Sequence, residues 1–113
     1  MNKRVLLEKL KQYITIDKKG MIEESIRVHD FSLIQLRDCL LDIGTVLEED
    51  LDSSIYVVRI PAGIADLNHA TVAMHLNKNS IDCIGYAQEG LFSQHTAEKA
   101  VGKIRKRIFE SKL

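Results

Sequence analysis

The sequence predicts an α+β fold, a two-layer domain in which an antiparallel sheet of three or four strands packs against helices and a C-terminal hairpin runs into a closing helix. Three observations predict it. Two β-rich runs, residues 70–76 and 81–86, flank the polar turn Asn77-Lys-Asn-Ser80. A helical pattern follows over about residues 97–112. Ser32 and Gln35 have the spacing of a capping box and open another helix.

From residue 3 to about residue 13, Leu6, Leu10, Tyr13 and Ile14 recur at helical spacing, with Arg4, Glu8, Lys11 and Gln12 opposite. This is the pattern of a surface helix with one buried stripe. Asp17-Lys-Lys-Gly20 reads as a turn in which Gly20 supplies a positive φ. Residues 21–28, carrying Ile22, Ile26 and Val28, fit a short strand as well as a helical turn. Phe31 and Leu36 take the staple positions around the capping box, so a helix begins at Leu33. Its apolar residues Leu33, Ile34, Leu36, Cys39, Leu40, Leu41 and Ile43 cover a wide face, as in a central core helix, and Gly44 stands at C′ to end it. Residues 45–48 suit a short strand. An acidic turn and the β-rich run 55–60 follow, ended by Pro61. The connection 62–69 is a natural binding loop or a single helical turn.

Register follows from the hairpin. With residues 77–80 as the loop, Leu76 opposes Ile81, and Val72, Met74, Leu76, Ile81, Cys83 and Gly85 share an apolar face directed at the helices. Thr71, Ala73, His75, Asp82, Ile84 and Tyr86 share the other, with His75 opposite Asp82. In the preceding strand Tyr56, Val58 and Ile60 alternate with Ile55, Val57 and Arg59. The second face is too apolar to stay uncovered, so either the N-terminal helix or a partner meets it.

A chain of 113 residues is one ordinary domain, 1–113. No apolar run approaches the ~18 residues of a membrane span, and Glu8, Lys9 and Lys11 interrupt the N-terminal apolar stretch. A cytoplasmic location and no membrane partner are expected. Cys39 and Cys83 lack metal or redox spacing and read as buried thiols. The zero net charge conceals a division: residues 1–20 hold six Lys/Arg against two acids, residues 21–66 three against ten, and residues 67–113 seven against four.

His75 and Asp82 are the one tempting acid-base pair, but Cys83 points to the opposite face and no nucleophile elbow occurs, so an ordinary cross-strand hydrogen bond is expected. His29, His69, His75 and His95 have no metal-ligand spacing, and no phosphate-cradling glycine motif appears, so neither metal nor cofactor is expected. In the last helix Ala97, Ala100, Val101, Ile104 and Ile108 form the apolar stripe, opposite Lys99, Lys103, Lys106 and Arg107.

The helix–strands–helix order of residues 33–112 resembles the double-stranded-RNA-binding domain, and the resemblance implies phosphate contacts from lysines at the start of the closing helix. Here Ser93-Gln-His-Thr96 offers no lysine there.

The leading expectation is a non-enzymatic intracellular protein-binding module, in one form an immunity or antitoxin-type inhibitor whose acidic surface meets a basic toxin. Its candidate partner-binding residues are Glu48, Glu49, Asp50 and Asp52 on the acidic run, with Arg59, His75, Asp82, Ile84 and Tyr86 on the second sheet face. The alternative is nucleic-acid binding through Lys99, Lys103, Lys106 and Arg107. Open strand edges leave room for a homodimer.

Overall fold

The computed structural model describes residues 3–90 and 92–112. Helix α1 (Lys3–Lys11) leads through a 3-10 turn (Lys18–Gly20) to strand β1 (Met21–Arg27) and helix α2 (Leu33–Ile43). Strands β2 (Thr45–Asp50), β3 (Ile55–Ala62), β4 (Asn68–Leu76) and β5 (Ser80–Tyr86) follow, then helix α3 (Thr96–Ser111). Every strand pair is antiparallel, and the sheet order is β1-β5-β4-β3-β2. Strands β2 to β5 form a meander. Because β1 and β2 lie at opposite edges, the segment containing α2 must carry the chain from one edge to the other.

The α+β class holds, with five strands rather than three or four. The fifth is residues 21–27, where the alternation of Ile22 and Ile26 with polar neighbours lies along β5. The hairpin register is the expected one: Leu76 opposes Ile81, His75 opposes Asp82 and Thr71 opposes Tyr86. Two cores follow from it. Tyr56, Val58, Val72, Met74, Ile81 and Cys83 pack with the α2 and α3 stripes on one face. Ile55, Val57, Ala73 and Ile84 lie under Leu6 and Leu10 of α1 on the other. Full burial of each large aliphatic side chain stabilises by about 1.5–3 kcal/mol.

Helix α2 begins at Leu33 with the expected capping box: Ser32 Oγ accepts from Gln35 N, and Gln35 Oε1 accepts from Ser32 N. It is not the central helix. Only Leu36, Cys39 and Leu40 are fully buried, whereas Ile34 is 64% and Leu41 58% exposed. The wide apolar face therefore meets a core on one side only, and α3, with Ala97, Ala100, Val101, Ile104 and Ile108 all buried, takes the middle of the sheet.

Gly20 and Gly44 are required for close approach and not for a positive φ. A Cβ on Gly20 would lie 2.0 Å from the Ala87 carbonyl oxygen, and one on Gly44 2.4 Å from that of Arg59. Gly44 ends α2 in an extended conformation. Pro61 does not end β3, which runs to Ala62; β2 pairs no further along β3 than Arg59, so the missing N–H of Pro61 costs no bond to β2. The acidic run is strand as far as Asp50, with a bulge between Val46 and Glu48. In the connection between β3 and β4, Ile64–Asp66 forms a 3-10 turn.

Candidate binding surface

The second sheet face is covered. Ile84 is 3% and Tyr86 8% exposed, so neither presents a surface to a partner, while Arg59 remains exposed. His75 is half-buried opposite Asp82, but no hydrogen bond joins the two side chains among the described residues. The Asp82 carboxylate accepts from Ser25 Oγ at 3.0 Å and from Asn77 Nδ2 at 2.7 Å. The expected cross-strand hydrogen bond is therefore not formed, and the carboxylate is held by Ser25 and Asn77 instead. His75 Nδ1 is left buried without a partner. Burial holds the imidazole below its ordinary pKa, with Asp82 pulling the other way.

The acidic run is divided by strand alternation. Glu48 and Asp50 turn toward α1, where Lys9 pairs with both and the Tyr13 hydroxyl donates to Glu48 at 2.6 Å. The hydrogen bond from Lys9, then that from Tyr13, lowers the Glu48 pKa, and Glu48 in turn raises that of Lys9. Glu49 and Asp52 stay exposed. Two of the four acids are thus already answered within the chain.

The basic side of α3 is divided in the same way. Lys103 donates to the Pro61 carbonyl at 2.6 Å and to Asp66 at 2.7 Å, and Arg107 reaches Asp42 through two nitrogens at 2.9 and 2.6 Å. Lys99 and Lys106 are exposed and make no ion pair among the described residues. Among those residues no group of three His, Cys, Asp or Glu side chains is arranged to hold a metal ion. No helix among them is long and apolar enough to cross a membrane. Cys39 and Cys83 are buried free thiols, and burial pushes the Cys83 thiol up to about 12.

The fold gives detail to two further surfaces, the connection 62–69 expected as a binding loop and an open strand edge. At one end of the molecule the β3–β4 and β5–α3 connections are joined by a hydrogen bond from Ile64 N to Gln94 Oε1 at 3.1 Å. They carry Leu67, 86% exposed, and Phe92, 79% exposed. Ala65, Asp66 and His95 there adopt positive φ, a strained conformation for residues with a Cβ.

The other surface is the outer edge of β1. Gly20 O accepts from Ala87 N and Val28 N donates to Asn79 O, so the even-numbered backbone groups of this strand face β5. Those of Met21, Glu23, Ser25 and Arg27 face outward, and among the described residues no strand lies beyond them. The pairing of β1 with β5 runs through seven residues without a register shift. The edge charges are tied away from the sheet plane: Glu23 to Lys3 at 2.6 Å on the α1 side, Glu24 to Arg105 at 3.0 Å on the α3 side.

Two clefts adjoin this edge and meet at Ser25. One of about 340 Å³ is lined by Lys3, Leu6, Glu23, Ser25, Asp82 and Ile84. The other, of about 720 Å³, is lined by Ser25, Arg27, His29, Asn79, Ser80 and Lys112. The opposite edge is unlike it, because β2 is shorter, bulged and acidic, features that discourage strand pairing. Charged residues Glu23, Glu24 and Arg27 scattered among Ile22 and Ile26 were the available signal for an edge strand. Comparison with protein-family models, with curated proteins and with solved structures returned no match.

Proposed function

We propose that this chain is a non-enzymatic protein-binding module that receives an extended segment of its partner along the outer edge of β1. The observation that carries the reading is the regular seven-residue edge whose outward backbone groups at Met21, Glu23, Ser25 and Arg27 are unpaired among the described residues, bordered by two clefts. In such strand addition, main-chain hydrogen bonds supply affinity and neighbouring pockets supply selection. Catalysis through His75 and Asp82 has less support, since among the described residues no hydrogen bond from Asp82 orients the imidazole and His75 Nδ1 has no partner. The inhibitor form of the reading, an acidic surface for a basic toxin, rests on Glu49 and Asp52, because Lys9 engages Glu48 and Asp50.

Ser25→Pro tests the proposal. It deletes one outward N–H and leaves the backbone bonds to β5 in place, losing only the Ser25 Oγ bond to Asp82, at an edge-strand position of the kind that tolerates proline. Affinity capture from the native host, with wild type and variant as baits, should lose its specific protein with the variant while circular dichroism shows an unchanged fold. Undiminished capture by Ser25→Pro, lost instead on replacing Leu67 and Phe92 or Glu49 and Asp52, would move the binding surface elsewhere.

A further inference from the structure

We infer that the strand received by β1 is selected for an acidic side chain, seated between Arg27, His29 and Lys112. The inference rests on the strand-addition reading and adds the chemistry of the partner. Its ground is the uneven charge of the two clefts. The first contains the carboxylates of Glu23 and Asp82 beside Lys3. The second is lined by three nitrogen bases, Val28 and the polar groups of Ser25, Asn79 and Ser80, and among the described residues no carboxylate lines it.

Most cations near the sheet are already paired, as Lys3, Lys9, Lys103, Arg105 and Arg107 are. Arg27 and Lys112 meet no carboxylate among the described residues. The Lys112 ammonium lies 5.8 Å from the centre of the Phe31 ring, which holds it near the mouth of the cleft. Asp30, 3.4 Å from His29, is the nearby acid, and both side chains are almost fully exposed, so that pair offers little competition.

An added strand lies about 4.8 Å beyond β1 and repeats its two-residue alternation. Glu23, Ser25 and Arg27 share one face. A side chain of the incoming strand level with Arg27 therefore reaches the basic cleft. One placed two residues away, level with Ser25, enters the first cleft, where Glu23 and Asp82 repel a carboxylate and Leu6 and Ile84 offer contact to an aliphatic group. Charge thus sets both the composition and the register of the partner.

The probe is the acetylated, amidated heptapeptide Thr-Val-Thr-Glu-Thr-Val-Thr, palindromic so that either strand direction presents the same groups, with versions carrying Gln or Lys at the centre. Titration into uniformly ¹⁵N-labelled full chain should shift the outward amides of Met21, Glu23, Ser25 and Arg27 more than those of Ile22, Glu24 and Ile26. The Glu peptide should bind roughly tenfold tighter than the Gln peptide and tighter still than the Lys peptide. In the variants Arg27→Glu and Lys112→Glu, both at exposed positions, the order should reverse. Equal binding of all three peptides overturns the charge selection and leaves strand addition standing. Absence of binding, or shifts gathered on Lys99 and Lys106, overturns the inference, and the Ser25→Pro capture experiment still judges strand addition separately.

Discussion

His75 carries the one buried side-chain polar atom without a partner among the described residues. Burial lowers its pKa, so between the ordinary histidine value of about 6.5 and the lower folded value the unfolded chain binds more protons than the folded one. Stability is therefore full above that window and falls as the pH drops through it. Urea midpoints measured from about pH 7.5 down to 5.5 should decline for the wild type and decline less for His75→Met. Removing an unsatisfied buried polar group is itself neutral or stabilising, so the variant should match or exceed the wild type by up to about 1 kcal/mol. Parallel curves would refute the role of His75. Glu48 acts in a separate, more acidic window: Lys9 lowers its pKa, so its contribution is present above the ordinary carboxylate range and lost below it.

Helix α1 decides the fate of the second sheet face. Its residues were readable as an amphipathic helix, and Leu6 and Leu10 are the stripe expected. That this stripe covers Ile55, Val57, Ala73 and Ile84 was not readable, since an apolar helix stripe and an apolar sheet face do not by themselves name each other as partners. Lys9 and Tyr13 secure the arrangement by reaching Glu48. Leu10→Ala should cost about 2–5 kcal/mol in urea denaturation, because Leu10 is fully buried and the sheet beneath it cannot collapse into the space. A loss below about 1 kcal/mol would mean that α1 is a loosely held flap and that the face beneath is accessible. At β1 the difficulty was different. Seven residues are few for telling a two-residue alternation from a helical turn, and Glu24, on the core side, is accommodated by Arg105 from α3, 81 positions away.

The whole molecule distributes its charge so that opposite segments meet. The basic N-terminal helix lies against the acidic β2 through Lys9, and α3 is tied to α2, β1 and the β3–β4 connection through Arg107, Arg105 and Lys103. With 16 basic and 16 acidic side chains overall, solubility should be lowest near neutral pH and rise on either side, as turbidity of concentrated protein across about pH 5–9 would record. A flat profile would instead make the exposed apolar residues Leu67 and Phe92 responsible for any association.

The sequence by itself determined the hairpin register, the start of α2, the apolar stripe of α3 and the α+β class, because capping, alternation and helical spacing are local and repeat within a few residues. Only the tertiary structure decided which acids and bases pair with each other, which apolar face α1 covers, and that β1 lies at an edge with its outward backbone groups unpaired among the described residues. Those outcomes depend on contacts between residues such as Lys9 and Glu48 or Ser25 and Asp82, 39 and 57 positions apart. The site residues expected from linear charge runs were therefore divided by the fold, and the unpaired edge emerged only where the sheet stops.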